Sequence, residues 1–144
     1  MDKGGIVVDA SVLADAILGE NQPYVQTLFR FVQTDRGEFH APTLIADEVL
    51  NALLKARQGN RIDADEFRER FQTLQSILTN IRLYPHAGDN AALSRKERLA
   101  SKHTLRSYDA NYLLLAQEIS ASLATLDSRL KRAAQNEGLF YEAK

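Results

Sequence analysis

Gly4-Gly5-Ile6-Val7-Val8-Asp9-Ala10-Ser11-Val12-Leu13-Ala14-Asp15-Ala16-Ile17-Leu18 changes its period midway. Ile6 to Val8 form a short β-branched run bounded by glycines, which reads as a buried strand. Beyond Asp9 the apolar residues Val12, Leu13, Ala16 and Ile17 recur at helical spacing. A strand that ends in a carboxylate and turns at once into a helix is the first half of a βα unit.

The same alternation continues along the chain. Tyr24 to Thr34 has helical periodicity, and Glu38 to Ala41 fits a short strand. Pro42 and Thr43 then open the helix LIADEVLNALLKAR, which Gln58-Gly59-Asn60 stops. Asp63 caps a further helix whose stripe runs through Phe67, Phe71, Leu74 and Leu78. Ile81 to Tyr84 alternates as a strand, and Asn90 to Lys102 is a charged amphipathic helix. RSYDANYLLLA (106–116), a strand over Ser122 to Leu126, a helix over Ser128 to Asn136 and a short apolar piece, Leu139 to Tyr141, complete the series. Such alternation predicts an α/β fold of three layers, α/β/α, with a mostly parallel central sheet covered by helices on both faces. No repeat, low-complexity tract or linker interrupts it, so residues 1–144 are expected to form one domain.

Composition narrows the class. With 44% hydrophobic and 26% charged residues, the chain is globular rather than disordered. It has no cysteine, hence neither disulfides nor thiolate metal sites. Its apolar runs are too short to span a bilayer, and Asp9 and Asp15 interrupt the first one, against a signal peptide. A cytoplasmic protein without membrane partners is expected. The net charge of −1 gives no global footprint for nucleic acid, so any basic surface must be local.

Ligands in open α/β sheets bind beyond the carboxyl ends of the strands. Asp9 follows IVV and Asp127 follows SLATL; Asp109 begins one helix and Glu48 lies in the first turns of another. At about 100° per residue, Glu48 flanks the apolar face of its helix whereas Asp47 points away from it. Each acid has an ordinary alternative: Asp9, Asp109 and Asp127 as helix caps, Glu48 as a partner of Lys55 or of the helix dipole. Converged, however, two carboxylates about 4 Å apart repel by about 4 kcal/mol at an effective dielectric near 20. Several such pairs require protons or a cation between them. Oxygen ligands without cysteine or clustered histidine suit Mg²⁺ or Mn²⁺.

IVVD followed by Ala10-Ser11 resembles the opening of PIN-domain nucleases, LIADEVLNAL their second acidic motif, YDANYLLLA their third and TLDSRLKRAA their fourth. The ordered set covers nearly the whole chain and is most similar, by length, to VapC-like toxins of toxin–antitoxin pairs. The resemblance implies a metal-dependent endoribonuclease with a PIN-like fold. Asp9, Glu48, Asp109 and Asp127 would form its acidic site, the first, third and fourth as metal ligands, with Ser11 and Thr125 as accompanying hydroxyls. It further implies an RNA substrate, a cognate antitoxin and a homodimer, contacts that apolar residues of the Tyr24 to Thr34 and Ile62 to Leu78 helices would serve.

Two basic groups could hold phosphate: Arg95, Lys96, Arg98, Lys102, His103 and Arg106 before Asp109, and Lys55, Arg57 and Arg61 after Glu48. Arg106, close to Asp109, is the preferred contact. His40, His86 and His103 show no ligand spacing. The alternatives are a Mg²⁺-dependent phosphatase or phosphoacceptor domain and a non-catalytic protein- or RNA-binding module. A haloacid-dehalogenase-like enzyme would carry an acid where Ser11 stands. A receiver would need paired early acids and a late lysine. A binding module would tolerate Asp9→Asn.

Overall fold

A computed structural model describes residues 5–34, 37–85 and 88–143. Strands β1 (Gly5–Val8), β2 (Glu38–Pro42), β3 (Ile81–Tyr84) and β4 (Ser122–Ala124) pair in parallel in the order β3-β2-β1-β4. Helices α1 (Ala10–Leu18) and α2 (Pro23–Thr34) connect β1 to β2, and α3 (Leu44–Gln58) and α4 (Ala64–Leu78) connect β2 to β3. After α5 (Asn90–His103) and α6 (Ser107–Glu118) the chain enters β4, and α7 (Ser128–Asn136) follows.

The direction of winding produces the layers. Right-handed crossovers that move from β1 outward to β3 put their helices on one face, and the return to β4 across β1 puts the next helices on the other. Accordingly α1 packs on α2, α3 and α4, while α6 packs on α5, α7 and strands β1, β2 and β4. Helix α6 buries Ala110 and every residue from Tyr112 to Ala116, so it is enclosed nearly all round rather than amphipathic. The core joins it to Val7, Val8, Leu13, Ile45, Leu53 and Leu123.

Several element ends follow from local chemistry. Asp9, Asp63, Asp89 and Asp127 each cap a helix through a side-chain oxygen, and Asp63 and Glu66 complete a reciprocal capping box. Gly19, at φ 76°, ends α1 in the left-handed region that glycine enters without steric cost. Pro42 closes β2 opposite Tyr84 instead of opening the next helix, and the Thr43 N–H carries the last bond to Tyr84 at 2.9 Å. Strand β4 is shorter than the expected Ser122 to Leu126. The Leu126 and Asp127 N–H groups leave the ladder for the hydroxyls of Ser11 and Thr125, both at 3.0 Å. The Leu139 to Tyr141 piece runs beside β4 through a bridge between Leu123 and Phe140.

Strand order reverses at β1, whose neighbours lie on opposite sides in the winding. In parallel α/β sheets that reversal opens a crevice at the carboxyl ends of the strands. Asp9 is the first residue beyond β1.

Candidate active site

The register that sets Val8 beside Ala124 places Asp9 next to Thr125 at the crevice. Ser11 donates to Oδ1 of Asp9 at 2.6 Å, and the Thr125 hydroxyl donates to Oδ2. The Val12 N–H also donates to Oδ1, at 3.2 Å, which caps α1. In return the Ser11 hydroxyl accepts the Leu126 N–H and the Thr125 hydroxyl the Asp127 N–H. Despite three donors, Asp9 is buried, and loss of hydration raises its pKa from 3.8 to about 6. The hydrogen bonds from Ser11, Thr125 and Val12 oppose that rise, and the charge of Asp127 adds to it.

Glu48 faces the same crevice from α3, half-buried, while Asp47 is exposed, as the helical projection predicts. The Tyr112 hydroxyl donates to Oε1 of Glu48. Burial raises the Glu48 pKa; the Tyr112 bond lowers it, nearby Asp109 raises it and Arg106 lowers it. Asp109 occupies the first turn of α6 but does not cap it. Arg106 is the cap residue and makes no side-chain cap bond, so the capping alternative does not hold for Asp109. Instead Asp109 pairs with Arg106 Nε at 3.4 Å. Asp127 lies beyond β4, separated from it by Thr125 and Leu126, and accepts the Leu130 N–H at 2.9 Å.

Electrostatic influence links the acids in pairs, and through Tyr112 links three of them. Asp9 senses the charge of Asp127, and Glu48 senses Asp109; burial first, then the bond to Glu48 and the charges of Glu48, Asp9 and Asp109, push the Tyr112 pKa up. Sequence reasoning missed Tyr112. Its signal was available: it follows Asp109 by three residues, on the same helical face, and a buried tyrosine hydroxyl needs a polar partner. Among the described residues no three His, Cys, Asp or Glu side chains are gathered tightly enough to hold an ion unaided. Each acid instead has a hydroxyl, an N–H or a guanidinium as its partner.

Other expectations shift. Lys96 is buried, with its pKa lowered by lost hydration, so it is no surface phosphate contact. Arg95 pairs with Glu118, and Arg61 with Glu20. His40 bonds Tyr84 and Glu38, His103 bonds Glu137, and His86 lies outside the described residues. Large exposed apolar residues among those described are Leu54, Leu83, Leu93 and Tyr108. None lies on α2 or α4, whose apolar side chains pack onto the core. Among the described residues no helix is long and apolar enough to cross a membrane.

Comparison with known proteins is consistent with this geometry. The sequence model of the PIN domain matches residues 6–136. Ribonuclease VapC9 of Mycobacterium tuberculosis is 30% identical over 131 residues, covering 90% of this chain and 91% of that protein. A solved structure from Pyrobaculum aerophilum superposes with a TM-score of 0.68 at 22% identity, covering 90% of this chain and 79% of the other. A toxin–antitoxin complex from Klebsiella pneumoniae contains a chain that superposes with a TM-score of 0.59 at 17% identity, covering 86% and 88%.

Proposed function

The chain belongs to the PIN-domain family, and from that membership we propose that it is a metal-dependent endoribonuclease, the toxin of a toxin–antitoxin pair. What supports this reading is a buried carboxylate, Asp9, at the point where the strand order reverses, under the charge of Asp127 and held by the hydroxyls of Ser11 and Thr125. Capping does not account for Asp9. A cap contributes about 1 kcal/mol, whereas holding this carboxylate ionised at neutral pH costs about 3 kcal/mol, judged from its shift to about 6. A cation recovers that cost.

The donor set fits a hard divalent ion. The donors the site offers are carboxylate and hydroxyl oxygens, the chain has no cysteine, and the described histidines are engaged elsewhere. Asp9, Asp109 and Asp127 would hold Mg²⁺ or Mn²⁺. Because Mg²⁺ keeps several waters, it does not need all three in direct contact. When bound, such an ion offsets charge on the scissile phosphate and makes water nucleophilic at neutral pH.

The chain supplies the rest. Glu48, fixed by Tyr112 and with a raised pKa, orients the attacking water and accepts its proton. The water oxygen joins phosphorus as the P–O ester bond breaks, and the departing oxygen takes a proton from solvent. Ser11 and Thr125 keep Asp9 in one rotamer, and Arg106 exchanges Asp109 for a substrate phosphate oxygen. Residues 1–144 act as one nuclease unit, in the cytoplasm. A cognate antitoxin and a second copy of the chain complete the assembly, the antitoxin by analogy with the Klebsiella complex.

The test is cleavage of total cellular RNA by purified protein with Mg²⁺ or Mn²⁺, with EDTA, and by Asp9→Ala and Asp109→Ala variants. Fragments that require both the metal and the two acids are expected. Equal cleavage by parent and variants would refute the assignment.

A further inference from the structure

Two open hollows adjoin on the side of the molecule where α5 ends and α6 and α7 begin. One, of about 360 Å³, is lined by Lys102, Thr104, Arg129 and Arg132 among others. The next, of about 550 Å³, is lined by Thr104, Leu105, Arg106 and Arg129 among others. Thr104 and Arg129 line both, so the hollows adjoin as one basic strip. The strip lies beside two of the acids: Arg106, in its lining, pairs with Asp109, and Asp127 caps the helix that carries Arg129 and Arg132.

Charge along the strip is unevenly committed. Lys102 and the buried His103 share Glu137, which their charge and hydrogen bonds hold below the usual carboxylate range. Arg129 and Arg132 are exposed, and among the described residues neither takes part in an ion pair. They stand three residues apart on α7, on one face. Two arginines left free on one shallow groove, in a chain of net charge −1, make a local site for a polyanion with evenly spaced charges.

We propose that this groove carries the backbone of single-stranded RNA away from the acidic site, with Arg129 and Arg132 each holding one phosphate. The inference rests on the nuclease reading for its substrate. Arginine suits the role because its planar fork meets phosphate oxygens in pairs. A groove that tracks the backbone and offers no base pocket confers affinity without sequence choice. It also explains how a chain with no global positive charge engages RNA: the positive strip is confined to the edge of the site.

Equilibrium binding separates this inference from the reading it rests on, because binding needs no cleavage. A fluorescein-labelled single-stranded RNA of mixed sequence is titrated with Asp9→Asn protein in EDTA at several salt concentrations. Arg129→Gln/Arg132→Gln in that background is expected to weaken binding at least tenfold at low salt. Loss of two phosphate contacts should also flatten the plot of log affinity against log salt by about 1.4, at about 0.7 per contact. Arg129→Lys/Arg132→Lys should restore most of that slope. Arg68→Gln/Arg82→Gln, an exposed basic pair outside both candidate phosphate groups, should alter neither quantity. Unchanged affinity and slope in the Arg129/Arg132 variant would overturn the proposal, as would an equal loss in the Arg68/Arg82 variant. Unchanged RNA binding with lost binding of poly-glutamate would assign the groove to an acidic peptide instead. Failure of the parent to cut RNA, with the binding pattern as expected, would refute the nuclease reading and leave the groove.

Discussion

The Tyr112 hydroxyl donates to Oε1 of Glu48 across 64 residues of sequence, joining the enclosed helix α6 to α3 at the mouth of the sheet. Tyr112 is 1% exposed, so its partner cannot be replaced by water without rearrangement. The bond favours ionised Glu48 and opposes the effects of burial and of Asp109. Tyr112→Phe keeps the ring and deletes the donor, at an expected stability cost of about 1–2 kcal/mol. The Glu48 pKa then rises, so the acid limb of the cleavage profile should move to higher pH. An unchanged profile would mean that Glu48 does not handle the reacting proton.

Asp9 predicts an inverse pH dependence of stability in the metal-free protein. Its folded pKa, about 6, lies above the reference value of 3.8, so the folded state binds the proton more tightly. Stability is then greatest below the unfolded pKa and falls as pH rises through about 6, by about 3 kcal/mol in total. Asp9→Asn should remove this slope and melt higher than the parent in EDTA at neutral pH. Thermal melts of both proteins across that window decide it.

The hydroxyls of Ser11 and Thr125 each serve Asp9 on one side and a backbone N–H on the other. Thr125→Val preserves shape and strands two buried groups, which should cost about 1–3 kcal/mol in urea unfolding. Because that bond lowers the Asp9 pKa, the variant should also need higher pH for full activity. Ser11→Ala should behave alike.

Gly5 lies against His40, which holds Tyr84 at 2.8 Å and Glu38 at 3.1 Å. A Cβ at position 5 would sit 2.5 Å from His40 Nε2. Gly5→Ala is therefore expected to cost about 1–3 kcal/mol through overpacking. In a His40→Ala background most of that cost should vanish, and equal costs in both backgrounds would contradict the contact.

Much of this architecture was legible in the sequence. The change of period at Asp9 and the spacing of apolar runs specify alternating strands and helices, and the helical projection separates Glu48 from Asp47. What local pattern could not provide was pairing. Strand β4 stops early because distant Ser11 competes for the Leu126 N–H. Lys96 reads as one of a basic run, yet it turns inward between α5 and α6. Tyr112 is core, but its hydroxyl answers to a carboxylate on another helix. The apolar stripes of α2 and α4 were legible as stripes, while their burial depends on packing that one helix does not encode.

Asp9, Asp109 and Asp127, from three segments of the chain, are proposed to hold one cation. Calorimetric titration of the metal-free protein with Mn²⁺ at neutral pH tests this most directly, with Asp9→Asn, Asp109→Asn and Asp47→Asn as variants. Saturable binding that is lost in Asp9→Asn, weakened at least tenfold in Asp109→Asn and unchanged in Asp47→Asn is the expected result. Equal binding by all four proteins would place the cation elsewhere and reduce the acidic crevice to caps and ion pairs.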